Sequence, residues 1–398
     1  MRIVVLGGAG AMGQVIVRDL AEAATVKEVV IADISLERAE HVKKQVGGSK
    51  TQCVQADIKS RPSLVAAFKG AQVVVASIPY IFNVEVMEAC LEAGCHYVDL
   101  GGLFHTTRKQ LELHDRFKSA NLLAVLGMGA APGMTNVMAG FAARDLDTVE
   151  SIEMVVAGVD FAESSHPFLP PYALDTILDE YALEPWVFEQ GKFVPKPPMT
   201  GETFVEMPEP VGKVRAFLTL HSEIATLPLT FADKGIKECS YKLGLPAEFH
   251  ERAKFLVELG FGGTKQIDFG GAHLNPRKVL AKMIEQHPQP TGDPNDCEVV
   301  RVDVRGTRNG LPAHIRMESI IYSHPQWKIS CGALDTGVPP SIVAQMIGTN
   351  QITDRGVLPP EKVVPAEAFF KELAKRHIPM RKISDESLVH KTTVSSVH

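Results

Sequence analysis

The first 130 or so residues alternate between short apolar runs and segments with helical spacing. Residues 3–6 form a continuous apolar run, which is typical of a strand covered on both faces of a parallel sheet. Further β-like runs fall at 28–32, 51–54, 72–76, 97–100 and 122–126. Helical spacing falls between them, at 12–24, 36–46, 62–68 and 84–93. This alternation predicts an α/β fold with a Rossmann-type, doubly wound parallel sheet.

The pattern changes after residue 145, where the strands become longer and more amphipathic. Residues 298–305 and 313–322 flank an Asn-Gly pair at 309–310, which is a strong hairpin signal. We therefore expect a second, mixed α/β domain for substrate binding and dimerisation. Helical spacing returns at 341–347, after two prolines, and the polar residues 384–398 are expected to be frayed.

These patterns predict two domains, one of which is assembled from both ends of the chain. The predicted division is a Rossmann domain at 1–145, an inserted domain at 146–335 and a returning segment at 336–398. The uncharged run 119–143 is long enough to cross a membrane, but Pro132 and Gly133 interrupt it. We interpret it as a buried strand, a turn and a buried helix.

The composition of the chain argues against several classes of function. Lys plus Arg number 41 and Asp plus Glu number 47, a net charge of -6, which excludes a nucleic-acid footprint and gives no sign of a membrane surface. Six cysteines in 398 residues do not form a disulfide framework. The apolar run at the start is too short for a signal peptide. A cytoplasmic location is expected.

The strongest motif is Gly8-Ala9-Gly10-Ala11-Met12-Gly13, a G-x-G-x-x-G between a predicted strand and helix. The glycines permit a tight turn and a close approach to a pyrophosphate, which the helix N-terminus attracts. Asp33 ends the next strand, where a carboxylate binds ribose hydroxyls and favours NAD. Arg38, one turn into the following helix, can meet a 2′-phosphate and leaves NADP open.

Polar turns follow the other predicted strands. Asp57 follows the third strand and is a candidate for contacting the edge of the adenine ring of the dinucleotide. Ser77-Ile78-Pro79 follows the fourth strand and should run beside the nicotinamide half, with Tyr80 next to it. Asp99 ends the fifth strand, on the same edge of the sheet.

These turns, in this order, resemble the saccharopine dehydrogenase-like oxidoreductases. The matching segments are the glycine fingerprint, Ile78-Pro79-Tyr80, Tyr97-Val98-Asp99-Leu100-Gly101-Gly102, Ala131-Pro132-Gly133-Met134, Thr336-Gly337-Val338-Pro339-Pro340 and Gly356-Val357-Leu358-Pro359-Pro360-Glu361. Three segments are most similar to the lysine 6-dehydrogenase branch: 80–83, 98–102 and 146–152.

The resemblance implies hydride transfer at a C–N bond of an amino acid, with lysine as the first substrate, and a homodimer or larger homo-oligomer. One segment departs from the family. Saccharopine reductases carry an Arg-Asp-Ser where this chain has Leu220-His221-Ser222-Glu223, and an acidic Glu223 suits an amine better than a further carboxylate. Reductive joining of an amine to a carbonyl, as in saccharopine or carboxynorspermidine synthesis, is the alternative activity. A nucleotide-sensing protein without turnover is the alternative class.

Amine oxidation requires a group that holds the amine and a base that titrates near the working pH. Asp99 is the first candidate for holding the amine, and His105 and His221 are candidate bases. Glu223 shares a face with His221 if both lie on a strand. Tyr80 can position the nicotinamide or share a proton. No histidine or cysteine cluster has the spacing of a common zinc site, so no metal is predicted.

Overall fold

The computed structural model describes residues 1–47, 49–162, 166–288 and 291–384. A seven-stranded parallel sheet forms the first layer, in the order β17-β6-β5-β4-β1-β2-β3. Its strands are β1 (Arg2–Leu6), β2 (Glu28–Asp33), β3 (Thr51–Gln55), β4 (Val73–Ala76), β5 (His96–Asp99), β6 (Leu123–Val125) and β17 (Gly356–Leu358). The predicted Rossmann-type sheet is confirmed.

Helices cover this sheet. They are α1 (Ala11–Glu22), α2 (Leu36–Val46), α3 (Arg61–Phe68), α4 (Asn83–Ala93), α5 (Leu103–Leu111), α6 (His114–Ser119) and α7 (Met134–Ala143). The strand order reverses between β1 and β4. Ligands of such sheets bind in the crevice at this reversal, beyond the carboxyl ends of the strands.

A nine-stranded mixed sheet forms the second layer. Its strands are β7 (Thr148–Asp160), β8 (Trp186–Glu189), β9 (Lys192–Pro195), β10 (Thr203–Glu206), β11 (Lys213–Leu218), β12 (Glu238–Gly244), β15 (Asp296–Arg308), β16 (Leu311–Tyr322) and β18 (Arg381–Ser384). β15 and β16 pair in antiparallel register, so the predicted hairpin is confirmed. A small hairpin of β13 (Ile267–Phe269) and β14 (Ala272–Leu274) lies apart.

The remaining helices are α8 (Leu174–Ala182), α9 (Leu227–Thr230), α10 (Ala247–Glu258), α11 (Pro276–Glu285), α12 (Cys331–Gly348), α13 (Pro360–Val363) and α14 (Ala366–Ala374). The end of the chain contributes to both layers, because β17 joins the first sheet and β18 pairs with β16. Residues 385–398, most of the segment expected to fray, lie outside the described residues.

Helix α12 differs from its prediction. The sequence predicts a helix only after the prolines, but α12 begins at Cys331 and continues through Pro339 and Pro340. A proline inside a helix removes one hydrogen bond and opposes the helical path. Burial offsets that cost, because both prolines belong to the buried face of the helix. One hydrophobic core contains Val338 of α12 together with residues of both sheets.

Candidate functional site

The glycine fingerprint forms a tight turn between β1 and α1. A Cβ atom at Gly13 would lie 2.2 Å from the Gly7 carbonyl oxygen, so only glycine fits there. Gly10 is the N-cap of α1, whose first residues are Ala11 and Met12, and no side chain caps this end. An uncapped helix N-terminus beside glycine backbone fits the pyrophosphate of a dinucleotide.

Asp33 and Arg38 both lie against this turn. Asp33 is 8% exposed, and its carboxylate accepts hydrogen bonds from the Ala9 N–H at 3.0 Å and the Ser35 N–H at 3.1 Å. The Arg38 guanidinium donates to the Ala9 carbonyl at 2.9 Å. The structure therefore brings a carboxylate and a cation together where the adenosine ribose of a dinucleotide would lie.

The turn after β4 meets the fingerprint at the strand reversal. The Ser77 N–H donates to the Leu6 carbonyl at 2.8 Å, and a Cβ at Gly7 would lie 2.1 Å from the Ser77 carbonyl oxygen. This contact places Ile78 and Pro79 beside the glycine turn. Asp57 instead follows the outer strand β3, where its carboxylate accepts the Lys59 N–H of its own turn.

Asp99 lies at the centre of the turns that follow β5 and β6. It is buried, and its carboxylate accepts bonds from the N–H groups of Gly101 at 2.9 Å and Gly127 at 2.6 Å. The side chains of Asn83 and Gln110 also donate to it. Burial raises its pKa, although these donors oppose the shift. This geometry supports a positioning role, in which Asp99 shapes the turns.

Tyr80 bridges the two layers. It follows β4, and its hydroxyl donates to Asp179 on α8 at 2.8 Å. Arg277, buried on α11, donates to the other oxygen of Asp179 at 2.6 Å. Burial, and then the bond to Asp179, raise the pKa of the Tyr80 phenol. The phenol therefore stays protonated at neutral pH.

His221 lies between two buried carboxyls. Its Nδ1 is 2.8 Å from Glu223 Oε2, and its Nε2 is 3.7 Å from Glu180 Oε1. Its ring stacks on Tyr241 with the ring centroids 3.7 Å apart. Tyr172 donates to the other oxygen of Glu180 at 2.5 Å. We call these five residues the histidine–carboxylate cluster.

The prediction that His221 and Glu223 lie on a strand is wrong. β11 ends at Leu218, and Glu223 begins a single 3-10 turn that ends at Ala225. The alternating polar pattern resembled a strand face, but the two side chains meet because the chain turns back. Thr135 on α7 donates to Glu223 at 3.0 Å, so the cluster touches the first layer.

The histidine–carboxylate cluster contains a carboxyl that titrates near neutrality. Burial raises the pKa of Glu180 to about 7, although His221 and Tyr172 oppose the shift. Burial lowers the pKa of His221, but the charges of Glu223 and Glu180 outweigh it and raise the pKa above its ordinary value. A group with a pKa near the working pH is suited to proton transfer.

His105 occupies a different environment. It lies exposed on α5, and its ring packs edge-on against Phe104 and Trp186. In the part of the chain that the structure describes, no hydrogen bond connects it to His221. The same residues contain no group of three or more histidine, cysteine or acidic side chains placed to hold a metal ion. No helix within the described ranges is long and apolar enough to cross a membrane.

Two family models match the chain. The saccharopine dehydrogenase NADP binding domain matches residues 3–125, and the saccharopine dehydrogenase C-terminal domain matches residues 129–378. The second match alone covers more than half of the chain. The chain belongs to the saccharopine dehydrogenase family. It is therefore an NAD(P)-dependent oxidoreductase, and the resemblance drawn from the sequence is confirmed at the level of the family.

Relatives of this family member match along most of its length. The carboxyaminopropylagmatine dehydrogenase of Synechocystis sp. is 19% identical, over 96% of this chain and 98% of the relative. The carboxynorspermidine synthase of Vibrio cholerae is 23% identical, over 90% and 91%. Apo saccharopine dehydrogenase (L-Glu forming) from Saccharomyces cerevisiae has a TM-score of 0.75 at 15% identity, over 96% of this chain and 99% of that chain.

Sequence reasoning missed three of the five residues of the histidine–carboxylate cluster in this oxidoreductase. Glu180, Tyr172 and Tyr241 stand in segments that carry no motif, and only the fold brings them to His221. One signal was available in the sequence, because apolar residues recur with helical spacing through 174–182 and the adjacent acids Asp179 and Glu180 lie within that segment. Adjacent acids on a buried helix face are uncommon unless they are paired or functional.

Proposed function

We propose that this protein transfers hydride between a nicotinamide dinucleotide and a C–N bond, joining a cationic amine to a carbonyl compound to form a secondary amine, or running that reaction in reverse. The observation that carries the proposal is the buried histidine–carboxylate cluster, which touches the dinucleotide-binding layer through Thr135. The names of two relatives, the carboxyaminopropylagmatine dehydrogenase of Synechocystis and the carboxynorspermidine synthase of Vibrio cholerae, support this reaction class.

The reaction requires balanced proton movements. An amine and a carbonyl condense to an imine and release water; the imine then takes up one hydride and one proton to become a secondary amine. The bound dinucleotide supplies the hydride or, in the reverse direction, accepts it. The protein must deliver a proton in one direction and remove one in the other.

We assign that proton to His221 and Glu180. Glu180 lies within ion-pair distance of the ring, at 3.7 Å, and its pKa of about 7 lets this pair take up and release a proton near neutral pH. Glu223 orients the ring through Nδ1, which leaves Nε2 on the side of Glu180. The carboxyls also stabilise a protonated amine, as electrostatic complementarity requires.

The other residues bind the dinucleotide or position the groups around it. Gly8, Gly10 and Gly13, with the N-terminus of α1, hold the pyrophosphate. Asp99 shapes the turns near the reacting half of the dinucleotide, and Tyr80 closes the site through Asp179. We do not assign a direct role to His105 or Asp57, whose contacts lie elsewhere.

Oxidative deamination of lysine is the second candidate. The segments 80–83, 98–102 and 146–152 favour it through their similarity to the lysine 6-dehydrogenase branch. The same proton-sharing pair serves this reaction, in which a primary amine loses hydride and water releases ammonia. Lysine thus stays a prediction. The cytoplasmic location and the homo-oligomer also stay predictions.

The test is a screen of the purified protein that follows nicotinamide absorbance. α,ω-Diamines are paired with aldehydes of amino acids in the presence of NADH or NADPH, and lysine is offered with NAD or NADP. Both nucleotides are needed because Asp33 favours a free 2′-hydroxyl and Arg38 favours a 2′-phosphate. We expect turnover with an amine–aldehyde pair. A loss of about a hundredfold in kcat is expected for His221→Asn.

Two results would contradict the proposal. Turnover only with lysine would establish the second candidate instead. Binding of the dinucleotide without turnover of any substrate would favour a nucleotide-sensing protein.

A further inference from the structure

Ser222 has a buried hydroxyl that the mechanism above does not use. It stands between His221 and Glu223 and is 4% exposed. Its Oγ has no hydrogen-bond partner among the residues that the structure describes. A buried hydroxyl without a partner costs folding free energy, and a bound water or a function commonly accounts for one.

Ser222 lines a small cavity where the two layers meet. The cavity has a volume of about 10 Å³, and its polar lining also includes Thr107 on α5, Asn136 on α7 and Thr226. Residues 126–127, which follow β6, form another part of the wall. This volume is close to the smallest that holds one water molecule, and it is far too small for an organic substrate.

A second oxygen without a partner lies close to this cavity. Gln110 on α5 is fully buried, and its Oε1 accepts no hydrogen bond within the described ranges. A Cβ at Gly102 would lie 2.6 Å from this oxygen and 3.1 Å from the Thr107 hydroxyl. One residue earlier, a Cβ at Gly101 would lie 3.4 Å from Ser222 Oγ. Three polar oxygens therefore lie around the turn after β5.

Two other polar groups of the lining already form hydrogen bonds with the protein. Asn136 donates to Thr226 at 3.2 Å and to Glu361 at 2.9 Å. Thr226 donates to the main-chain carbonyl of Glu223 at 3.4 Å. These bonds hold the walls of the cavity in place and leave the Ser222 hydroxyl to bind the molecule that occupies it.

The cavity lies between the groups that would supply the hydride and the proton. Gly127, in its lining, donates to Asp99 at 2.6 Å. Both residues belong to the turns at the carboxyl ends of β5 and β6, where the reacting half of the dinucleotide is expected. On the other side, Ser222 is joined directly to His221 and Glu223. An imine that takes up hydride from the dinucleotide and a proton from the cluster must lie next to this junction.

We propose that this cavity binds a single water molecule through Ser222, and that this water is the one released when the amine and the carbonyl condense or consumed when the imine is hydrolysed. The inference rests on the proposed function and adds a place for the water of that reaction. Condensation breaks the C=O bond and forms the C=N bond, and the oxygen leaves as water with the two hydrogens of the neutral amine nitrogen.

A dedicated site for this water suits a buried reaction. His221, Glu223 and Glu180 are buried, so bulk water has little access to the groups that move the proton. A serine hydroxyl can donate one hydrogen bond and accept others, which matches a water that must be held whether it is entering or leaving. Ser222 is therefore a positioning residue, which acts on the substrate through the water.

Two starting points of the reaction distinguish this role from a structural one. The first is an amine–aldehyde pair that turns over in the screen. The second is the imine of that pair, formed beforehand in dry acetonitrile and mixed rapidly with protein saturated with the reduced dinucleotide. Only the first requires release of water before hydride transfer. Ser222→Ala should slow turnover of the pair about threefold to tenfold, as expected for one lost hydrogen bond, and change reduction of the imine by less than about twofold.

Thr219→Val is the matched control. Thr219 is buried, and its hydroxyl also lacks a hydrogen-bond partner in the described part of the chain, but it does not line the cavity. This substitution should change neither reaction. Thermal unfolding of both variants checks that they fold.

A crystal structure of the protein with bound dinucleotide tests the site without turnover. We expect one ordered water within hydrogen-bond distance of Ser222 Oγ, both in the wild type and in Thr219→Val. An empty cavity would overturn the site.

Equal slowing of both reactions in Ser222→Ala, or no change in either, would overturn the role of the water. The two proposals fail separately. Absence of turnover with every amine–carbonyl pair rejects the proposed function, and the crystal structure still decides whether the cavity binds a water.

Discussion

At the scale of single residues, the neighbours of His221 determine its protonation state. Burial by itself would favour the neutral imidazole. Glu223 at 2.8 Å and Glu180 at 3.7 Å reverse that preference. Burial in turn raises the pKa of Glu180 to about 7, although His221 and Tyr172 act to lower it. The proton therefore belongs to the pair rather than to one group.

The pair gives a prediction for the pH profile. In the direction of amine oxidation, kcat/KM should rise with pH through about 7 as the cluster loses a proton and becomes a base. Glu180→Gln should reduce kcat/KM by about a hundredfold. It should also move the rise to lower pH, because His221 loses one of the two carboxylates that raise its pKa.

The measurement is kcat/KM across a pH series for the wild type and the variant. Glu361→Gln removes a different buried carboxyl and should leave the profile in place. A rise at an unchanged pH in Glu180→Gln would show that this carboxyl does not belong to the titrating pair.

At the scale of elements, the contact between α12 and α1 connects the end of the chain to the dinucleotide site. A Cβ at Gly337 would lie 2.6 Å from the Cβ of Val15, so the two helices approach as closely as a glycine permits. Further along the interface, Ser341 and Arg376 both bond to the buried Asp19 of α1. The packing of α12 therefore sets the position of the helix whose N-terminus faces the pyrophosphate.

Gly337→Ala should weaken this contact. The added methyl overlaps Val15, and overpacking of this kind costs about 1–3 kcal/mol. The displaced α1 should also bind the dinucleotide less tightly. Denaturant unfolding and a fluorescence titration with NADPH measure the two effects.

Gly332→Ala is the matched control in the same helix. A Cβ there would meet nothing within 4 Å, so this substitution should be neutral or stabilise the helix by up to about 1 kcal/mol. Equal stability of the two variants would contradict the close-packing argument.

At the scale of the whole molecule, the site exists only where the two sheets meet. Two hydrogen bonds connect the first layer to the second: Thr135 donates to Glu223, and Tyr80 donates to Asp179. The hydrophobic core that connects the sheets contains both Met134 of α7 and Met154 of β7. His221, Glu223 and Glu180 are buried in this arrangement, which in the proposed reaction would keep bulk water away from the imine.

Tyr80→Phe tests the connection between the layers. Loss of one hydrogen bond to Asp179 should lower the free energy of unfolding by about 0.5–1.5 kcal/mol. Because the tyrosine closes the site and does not exchange a proton at neutral pH, we expect KM for the amine to rise and kcat to fall less than about tenfold.

Tyr322→Phe is the control, since this tyrosine is exposed. Steady-state kinetics and denaturant unfolding are measured on both variants. A hundredfold loss of kcat with an unchanged KM would instead make Tyr80 a proton donor, which is the other role that the sequence suggests for it.

Local patterns determined the dinucleotide half of the protein. The fingerprint 8–13, Asp33 and the strand–helix alternation belong to one β-turn-α-β unit, whose geometry depends on residues close in sequence. The same reasoning identified His221 and Glu223 as partners but placed them on a strand, because a two-residue spacing cannot distinguish a strand from a turn that folds back.

Tertiary structure alone decided what surrounds those partners. Glu180 and Tyr241 come from α8 and β12, and nothing near them in the sequence indicates that they meet at His221. Their meeting depends on strand register and helix packing over long sequence separations. Burial then shifts the pKa of each carboxyl in a way that the composition of the chain cannot indicate. The sequence by itself determined the fold and the class of cofactor, whereas packing between the two sheets decided which groups can act on a substrate.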